Sequence, residues 1–433
     1  MSPRFRSLRV RNYRLFAAGQ MVSNTGTWMQ RVAQDWLVLQ LSHNSAAALG
    51  ITTGLQFLPM LLFGLWGGLI ADRHAKRRLL LITQSAMALQ AIGLGVLVLT
   101  GRATVWHVYA LAFALGLATV FDNPARQAFV VEIVGRDDLP NAVGLNSATF
   151  HAARVVGPAI AGLMINLIGT GPVFLVNGVS FLAVLAGLYA MRESELHPTD
   201  TLVRERGQLA DGLRYVRARP DLLLPIVTVG ILGTFGMNFQ MTMALMAKSV
   251  FGRGAGSYGL LGTALAVGSL SGALYAAGRT RPSRRLLVGS AIGFGLLEIV
   301  CGLMPSYETF MVLLVPTGLL LIIVNTTANS TVQLAVDPAM RGRVMALYMT
   351  VLLGGTPIGA PMIGWLAEVA GPRWSLLGGG LVSTVGAAAT ALVLSGRPVW
   401  RRGPSWQADG HEHLRLPGKL GWRRRTTVRH RTS

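Results

Sequence analysis

Long apolar stretches separated by short polar turns dominate this chain. Residues 46–70 and residues 79–100 contain no charged side chain, and a short basic turn joins them. Because roughly 20 apolar residues cross the hydrocarbon core of a bilayer as a helix, each stretch is long enough for one span. The pattern recurs along the chain and predicts twelve membrane-spanning helices. They cover residues 13–41, 46–70, 79–100, 105–121, 141–168, 173–191, 222–247, 257–278, 286–304, 309–334, 344–370 and 374–394.

The polar segments divide these spans into two groups of six. Residues 192–220 have mixed charges and no apolar run, which is typical of a linker between two halves. The predicted fold class is therefore an all-α polytopic membrane protein with two six-helix bundles. The predicted parts are a basic arm (1–12), an N-terminal bundle (13–191), the linker (192–220), a C-terminal bundle (221–395) and a basic tail (396–433), which we expect to be disordered.

Basic residues are distributed unevenly between the two sides of the predicted membrane. The turns at 42–45 and 169–172 carry no arginine or lysine, whereas the arm, the alternate loops and the tail carry most of them. Loops rich in basic residues stay in the cytoplasm, so both termini are predicted to be cytoplasmic. Lys248, Arg253 and Arg373 are exceptions to this distribution.

The composition agrees with a membrane protein. Hydrophobic residues make up 52% of the chain and charged residues only 13%, against about 25% charged in soluble domains. The net charge of +21 could indicate a nucleic-acid partner. However, the basic residues lie mostly in the tails and alternate loops, as the positive-inside rule requires, so we expect no nucleic-acid partner. The single cysteine, Cys301, excludes an intramolecular disulfide and any metal site with several cysteines.

The basic turn between spans two and three carries a recognisable pattern, GLIADRHAKRR at residues 68–78. It resembles the signature loop G-x-L-x-D-R-x-G-R-R between helices 2 and 3 of the major facilitator superfamily. Ile70 replaces the leucine and Ala75 replaces the second glycine. An ordinary basic loop would explain the arginines but not the glycine and the acid. The matching residues are Gly68, Asp72, Arg73, Lys76 and Arg77.

The resemblance implies that this loop is a conformational latch and not a substrate site. Asp72 would dock at the start of helix eleven near residues 343–345, where an acid suits the helix dipole. Lys76 or Arg73 would reach Asp122, which lies one turn before Arg126 at the end of span four. The cluster would latch the outward-facing state of the transporter and break on switching.

Span five contains a second pattern, in which Gly157, Pro158 and Gly162 follow Arg154. It resembles a helix 5 motif of exporters in the superfamily, and residues 359–364 repeat it weakly in span eleven. Hinge bending and simple helix packing both remain open as its role. The stretches at 20–23, 33–38, 124–126 and 139–147 resemble the enterobactin-exporter-like and macrolide-efflux-like branch.

This resemblance implies proton-coupled export of small amphipathic molecules, such as drugs or siderophores, across a bacterial cytoplasmic membrane. We expect a monomer without cofactor or metal. An importer of a small metabolite and a non-transporting receptor or scaffold of the same fold remain alternatives. The sequence has no paired acids, nucleophile with a base or metal motif of an enzyme, and no Walker-type loop of a nucleotide-driven pump.

Ionisable residues inside spans are expensive, so each is a candidate for function. Asp35 and Arg31 lie four residues apart in span one, hence on one helix face. Asp35 could take up a proton and gate substrate release, with Arg31 modulating its protonation. A static ion pair beside a watery cavity, or charges near the interface, would explain the same residues. Glu298 in span nine is the second proton-coupling candidate, and Arg154 could bind an anion or pair with an acid of span one.

Polar and methionine side chains in spans one, seven and ten are candidates for the transport pathway. Methionine surfaces accept varied apolar ligands, although such residues also serve ordinary packing. The candidates are Asn24, Gln30, Gln34, Met237, Asn238, Met241, Asn325 and Asn329.

Overall fold

The computed structural model describes residues 3–197, 208–279, 282–338 and 340–395, so the predicted basic tail lies outside the described residues. Long helices form almost all of this part of the chain. Spans one to three are Arg11–Leu41, Ala46–Arg73 and Lys76–Leu99; one helical run, Val105–Ile168, follows; span six is Thr170–Ala190. Spans seven to twelve are Pro220–Val250, Ala255–Ala277, Arg284–Leu303, Tyr307–Ala335, Arg341–Ala370 and Trp374–Ser395.

Twelve passes follow from these helices. Within the described residues, ten helices are long and apolar enough to cross a membrane. The 64-residue run Val105–Ile168 is roughly 95 Å long, about three times the hydrocarbon thickness, so it is too long for a single pass. A kink at Gly135 divides it into two passes. Arg11–Leu41, which is more polar, supplies the remaining pass. The predicted all-α fold with twelve spans is confirmed.

A single glycine separates spans four and five. Gly135 has φ +71° and ψ −178°, a conformation that side chains with a Cβ avoid. Helix continues on both sides of it, so span four extends well beyond the predicted end at residue 121. The connection between these two spans is therefore a sharp helical corner and not an extended loop.

The helices form two bundles. In the first, span one packs on spans five and six, and span two packs on span four; in the second, span eight packs on span ten, and span nine packs on span twelve. The bundles meet along two seams, span two against span eleven and span five against span eight. We call the end that carries the turn at His74 the signature end, and the opposite end the far end.

Span seven is the least regular helix of the C-terminal bundle. It contains π-helical turns at Leu232–Gly236 and Met246–Val250. A π turn places one extra residue in the helix and is frequent at functional sites. The two π turns flank Phe239–Leu245, the segment that borders span one and contributes Gln240 to the cavity described below.

The second part of the linker docks on the C-terminal bundle at the signature end. Helix Gln208–Arg217 packs against span eleven, and the Tyr215 hydroxyl donates to Asp337 Oδ2 at 2.7 Å. Burial, and then this hydrogen bond, raise the pKa of Tyr215, so the phenol stays protonated and keeps donating. Arg219 forms an ion pair with Asp221 at 2.6 Å.

Candidate functional site

A small cavity of about 30 Å³ lies between the bundles, and it is large enough to hold water. Spans one, two and seven contribute its walls, so both bundles are needed to form it. We call it the Asp35 cavity. Its lining residues are Arg31, Gln34, Asp35, Thr53, Gln56, Phe57 and Gln240.

Asp35 connects the two bundles directly. Its Oδ2 accepts a hydrogen bond of 2.7 Å from the hydroxyl of Tyr258 in span eight, and only 5% of the residue is exposed. The same hydroxyl lies 3.1 Å from the backbone carbonyl oxygen of Gln240 in span seven. Trp36 stacks on the Tyr258 ring with centroids 6.3 Å apart, and Lys248 lies over Trp36. Tyr258 therefore binds the carboxylate, and groups of spans one and seven position Tyr258.

Arg31 does not form an ion pair with Asp35, although both belong to the same cavity. Its guanidinium carbon lies 4.7 Å from the centroid of the Trp28 ring, one turn earlier in span one. Arg154 of span five lies 5.5 Å from the same ring. The expectation that these two residues have a carboxylate partner is therefore not met among the described residues. Both guanidinium groups instead lie over the Trp28 ring.

The predicted cavity residues of span one separate into two sets. Gln34 lines the Asp35 cavity and donates to Gln56 Oε1 at 2.9 Å. Gln30 instead faces the interior of the N-terminal bundle, where it donates to Gln90 and accepts from Asn177. Its placement on the pathway is corrected, because Gln30 lies about 100° around the helix from Arg31 and about 140° from Asp35, which line the cavity, and so meets spans three and six. Asn24 is half-buried.

The predicted residues of spans seven and ten lie close together but differ in exposure. The Asn325 amide lies 3.9 Å from the Met237 sulfur, so spans ten and seven touch at these positions. Asn238 and Met241 are buried, with 5% and 1% of their surface exposed. Met241 therefore serves packing in this state and lines no open pathway. Asn329 is half-buried and accepts a hydrogen bond from Gln333.

Glu298 lies inside the C-terminal bundle, away from the Asp35 cavity. It is 1% exposed, and its Oε2 has no hydrogen-bond partner among the described residues. Its two carboxylate oxygens face glycines, with Oε2 3.1 Å from where a Cβ of Gly236 would lie and Oε1 2.8 Å from that of Gly379. The two glycines make room for the carboxylate between spans seven and twelve.

The helix 5 motif lies at the seam between the bundles. A Cβ on Gly162 would lie 2.7 Å from the Ala255 carbonyl oxygen, and one on Gly259 would lie 2.3 Å from that of Pro158. Gly157 packs on Trp28 of span one. Only glycine allows such close crossing of backbones, so the motif closes the seam between spans five and eight.

The second seam has the same construction. A Cβ on Gly364 would lie 2.7 Å from the Ala46 carbonyl oxygen, and one on Gly50 would lie 2.5 Å from that of Ala360. Four residues after Gly364, Glu368 accepts hydrogen bonds from Ser45 Oγ and from the backbone nitrogens of residues 46 and 47, at 3.1, 2.6 and 3.1 Å. It therefore caps the N-terminus of span two from the opposite bundle.

Asn166 takes the equivalent position at the first seam, four residues after Gly162. Its side-chain oxygen accepts from the Gly256 backbone nitrogen at 3.3 Å, at the N-terminus of span eight. Both seams are thus closed at the far end by paired glycines and one polar cap. This pseudo-symmetry explains the weak sequence repeat between spans five and eleven.

The signature-loop residues form local contacts at the signature end. Lys76 pairs with Glu132 at 3.3 Å, and Arg77 pairs with Glu193. Asp122 is buried and accepts from Thr83 and Gln84 at 2.8 and 2.7 Å. The predicted bridge from Lys76 to Asp122 is replaced by these partners, because Lys76 lies at the first residue of span three whereas Asp122, 1% exposed, is buried inside the bundle.

Arg126 completes this group. It lies 3.5 Å from Asp122 and donates to Gln20 of span one at 3.0 Å. Asp72 and Gly68 are half-buried, and Arg73 is exposed. Gly67, which the pattern does not single out, makes the closest approach, since a Cβ on it would lie 2.3 Å from the Val120 carbonyl oxygen. The docking of Asp72 on span eleven stays a prediction.

Sequence reasoning missed several residues of the site. Tyr258, Thr53 and Phe57 lie in apolar runs and give no signal of their own. Gln56 is visible as an amide within an uncharged span, which is the one signal that could have identified it. Trp28 also gives no signal in the sequence, because its contacts with the two arginines appear only in the structure.

The sequence profile of a family described as "Transmembrane secretion effector" matches residues 2–401. The chain is 30% identical to the multidrug efflux pump Tap of Mycolicibacterium fortuitum over 369 residues, which cover 82% of this chain and 89% of Tap. It is 26% identical to the enterobactin exporter EntS of Shigella boydii serotype 18, over 83% of this chain and 86% of EntS. The resemblance found in the sequence is therefore confirmed.

Solved structures agree on the fold. A bacterial homologue of the human lysosomal transporter Spinster, in an inward-facing and occupied conformation, superposes with a TM-score of 0.70 at 17% identity, covering 94% of this chain and all of the other. The nucleoside transporter NupG also gives a TM-score of 0.70, at 11% identity, covering 89% of this chain and 99% of the other. Sequence and fold both indicate a multi-pass membrane transporter and not an enzyme. The chain belongs to the transmembrane secretion effector family of the major facilitator superfamily.

Proposed function

We propose that this chain exports small amphipathic molecules from the bacterial cytoplasm in exchange for protons, by alternating access of one monomer. The observation that carries the proposal is Asp35, a buried acid that lines a cavity between the bundles and bonds across them to Tyr258. An acid in this position can couple its protonation to the relative movement of the bundles. The names of the relatives Tap and EntS support export as the direction.

The charge distribution supports a cytoplasmic signature end, and with it cytoplasmic termini. Among the described residues outside the spans' interiors, the far end carries only a few basic side chains, and three of them have local partners. Arg253 pairs with Glu308 at 3.0 Å, Arg373 donates to the carbonyl oxygens of residues 302 and 304, and Lys248 lies over an indole ring. These local partners explain why the three basic residues lie at the far end, so they do not contradict the positive-inside rule.

With this orientation the structure corresponds to a state closed to the outside. Both glycine seams and both polar caps lie at the far end, where the bundles touch. Opening to the outside would require these seams to separate, as in rocking of one bundle on the other. The signature-loop group, with Asp72 near span eleven, would then close the cytoplasmic side.

The hydrogen bonds around Asp35 suit both of its protonation states. When Asp35 is ionised, the Tyr258 hydroxyl donates to it. When Asp35 is protonated, its own hydroxyl donates to the Tyr258 oxygen, and Tyr258 donates to the Gln240 carbonyl oxygen 3.1 Å away. No buried hydrogen bond is lost in either state, so a proton can be held and released without breaking the local structure.

The test is export of lipophilic dyes and antibiotics from energised cells by wild type and Asp35→Asn. Asparagine has the shape of aspartate and still accepts from Tyr258, but it cannot change charge. We expect gradient-dependent export to fall at least about tenfold at equal expression, because the coupling site is lost. Glu308→Gln, which neutralises an exposed far-end acid, is the matched control and should export normally.

Collapsing the proton gradient separates the parts of the proposal. Export by wild type that persists without a gradient would contradict antiport. Gradient-dependent export that is indifferent to Asp35→Asn would move coupling to Glu298, the other buried acid of the described chain without a basic partner. Uptake of panel members instead of export would reverse the proposed direction.

A further inference from the structure

Two arginines share one aromatic ring in the interior of this protein. The guanidinium carbons of Arg31 and Arg154 lie 4.7 and 5.5 Å from the centroid of Trp28. Within the described residues neither group donates a hydrogen bond, and neither has a carboxylate within 4 Å. The neighbouring acid, Asp35, is engaged with Tyr258. The two cations therefore have one acid nearby, Asp35, which lines the same cavity as Arg31, but neither forms an ion pair within the described residues.

Arg154 points into the cleft between the bundles and not into lipid. Leu163 is 59% exposed and marks the lipid side of span five. It follows Arg154 by nine residues, or about two and a half helical turns, so the two side chains lie on opposite faces of the helix. Val156, Ile160 and Leu167 are exposed on the same side as Leu163. The opposite face, to which Arg154 belongs, meets span one through Gly157 and span eight through the Val155 carbonyl, which accepts from Thr263 at 3.0 Å.

Arg31 belongs to the equivalent face of span one. The glycines of span one, Gly19 and Gly26, pack on span six, and Arg31 follows Gly26 by five residues, which turns it about 140° away from that contact. It lines the Asp35 cavity. Both guanidinium groups therefore face the space between the bundles.

Aromatic rings complete the surroundings of the two cations. Trp28 meets Phe150 edge to face with centroids 5.8 Å apart, and Phe150 meets His151 in the same way at 5.8 Å. Phe150 is 44% exposed, so part of its ring is available for contact. A guanidinium stacked on a ring keeps its N–H donors free in its own plane, where they can form a forked pair with a carboxylate.

We propose that Arg31, Arg154 and Trp28 form a binding site for the anionic group of an amphipathic aromatic substrate. This deepens the proposed function and rests on it, because it names the class of molecule exported. Two cations that share one nearby acid, Asp35, are costly in a membrane interior and repel each other, and one bound carboxylate relieves both effects. The rings of Trp28 and Phe150 then contact the aromatic part of the same molecule.

The test is binding of three naphthalene probes of equal size to the purified full chain in detergent, by isothermal titration. The probes are 2-naphthoate, neutral 2-naphthamide and cationic 2-naphthylmethylammonium. We expect wild type to prefer the naphthoate over the amide by about tenfold, the usual worth of a hydrogen bond to a charged group. The ammonium probe should bind least.

Variants assign this preference to the two arginines. Arg154→Gln and Arg31→Gln should each reduce the preference to about twofold, whereas Arg154→Lys, which keeps the charge but loses the planar fork, should give an intermediate preference. Arg102→Gln, an exposed arginine of a far-end turn, should change nothing. If one glutamine variant fails to fold, the other and the lysine variant still decide the matter.

Equal binding of the naphthoate and the amide by wild type would overturn the proposal, and so would a preference that survives both glutamine variants. Failure of the proposed function is separate and is detected by the cellular export assay. Export of neutral or cationic compounds without arginine-dependent anion binding leaves efflux standing and removes this site. Arginine-dependent binding of the naphthoate without export of any compound leaves the site standing and removes efflux.

Discussion

At the scale of single residues, the candidate site depends on side chains that were partly visible in the sequence. Asp35 and Arg31 stand out because charges in a membrane helix are rare, and helical spacing places them on one face. Their partners could not be foreseen. Tyr258 lies 223 residues from Asp35, and no local pattern marks a tyrosine in an apolar helix as its hydrogen-bond donor.

We predict that Tyr258→Phe lowers proton-coupled export about tenfold while leaving the fold intact. The change removes the hydroxyl that bonds Asp35 across the bundles, and hydrogen bonds to charged groups are the stronger kind. Initial export rates in vesicles with an imposed pH difference would measure it. Tyr307→Phe is the control, because the Tyr307 hydroxyl donates at 3.0 Å to the Ser257 carbonyl within one bundle. Equal losses in the two variants would refute a special role for Tyr258.

At the scale of helices, the seams decide how the bundles approach each other. Paired glycines at the crossing of spans five and eight, and again at spans two and eleven, bring backbones to distances that a Cβ would block. The glycine and proline positions of the helix 5 motif were recognisable in the sequence, and both a hinge and packing were considered. The contacts show packing between bundles, and a hinge role stays a hypothesis.

We predict that Gly259→Val separates the far ends of the bundles. Overpacking of this kind costs about 1–3 kcal/mol, which shifts a two-state population by about 5- to 150-fold. Spin labels at Arg102 and Glu308, both exposed at the far end on opposite bundles, would report longer distances by pulsed electron resonance. Gly93→Val, where a Cβ meets nothing within 4 Å, should leave the distance distribution unchanged. An unchanged distribution in Gly259→Val would show that the seam is not tight.

At the scale of the whole molecule, the two halves are related by pseudo-symmetry, but their caps differ. Asn166 and Glu368 occupy equivalent places four residues after a seam glycine, yet only one of them carries a charge. A carboxylate at a helix N-terminus interacts with the helix dipole as well as with its free N–H groups. The seam between spans two and eleven is therefore the more strongly capped of the two.

We predict that Glu368→Ala loosens closure of the far end. Three hydrogen bonds to the start of span two are lost, so outside-open states should become about threefold more populated. Labelling of Thr53→Cys in the Asp35 cavity by an impermeant maleimide on intact cells would measure this, with Cys301→Ser as background. Glu308→Ala removes a far-end ion pair confined to the C-terminal bundle and should not raise the labelling rate. Equal rates in wild type and Glu368→Ala would contradict the prediction.

The sequence by itself determined that this protein lies in a membrane, where its helices run and to which family it belongs. Apolar runs of membrane length, basic loops on one side and the pattern at residues 68–78 are local features, so they can be read without knowing the fold. Only the tertiary structure decided which polar side chains share a site. It placed Gln30 inside one bundle, paired Asp35 with Tyr258 and set two arginines on Trp28. Those outcomes depend on the rotation of helices distant in sequence, and no local pattern encodes that rotation.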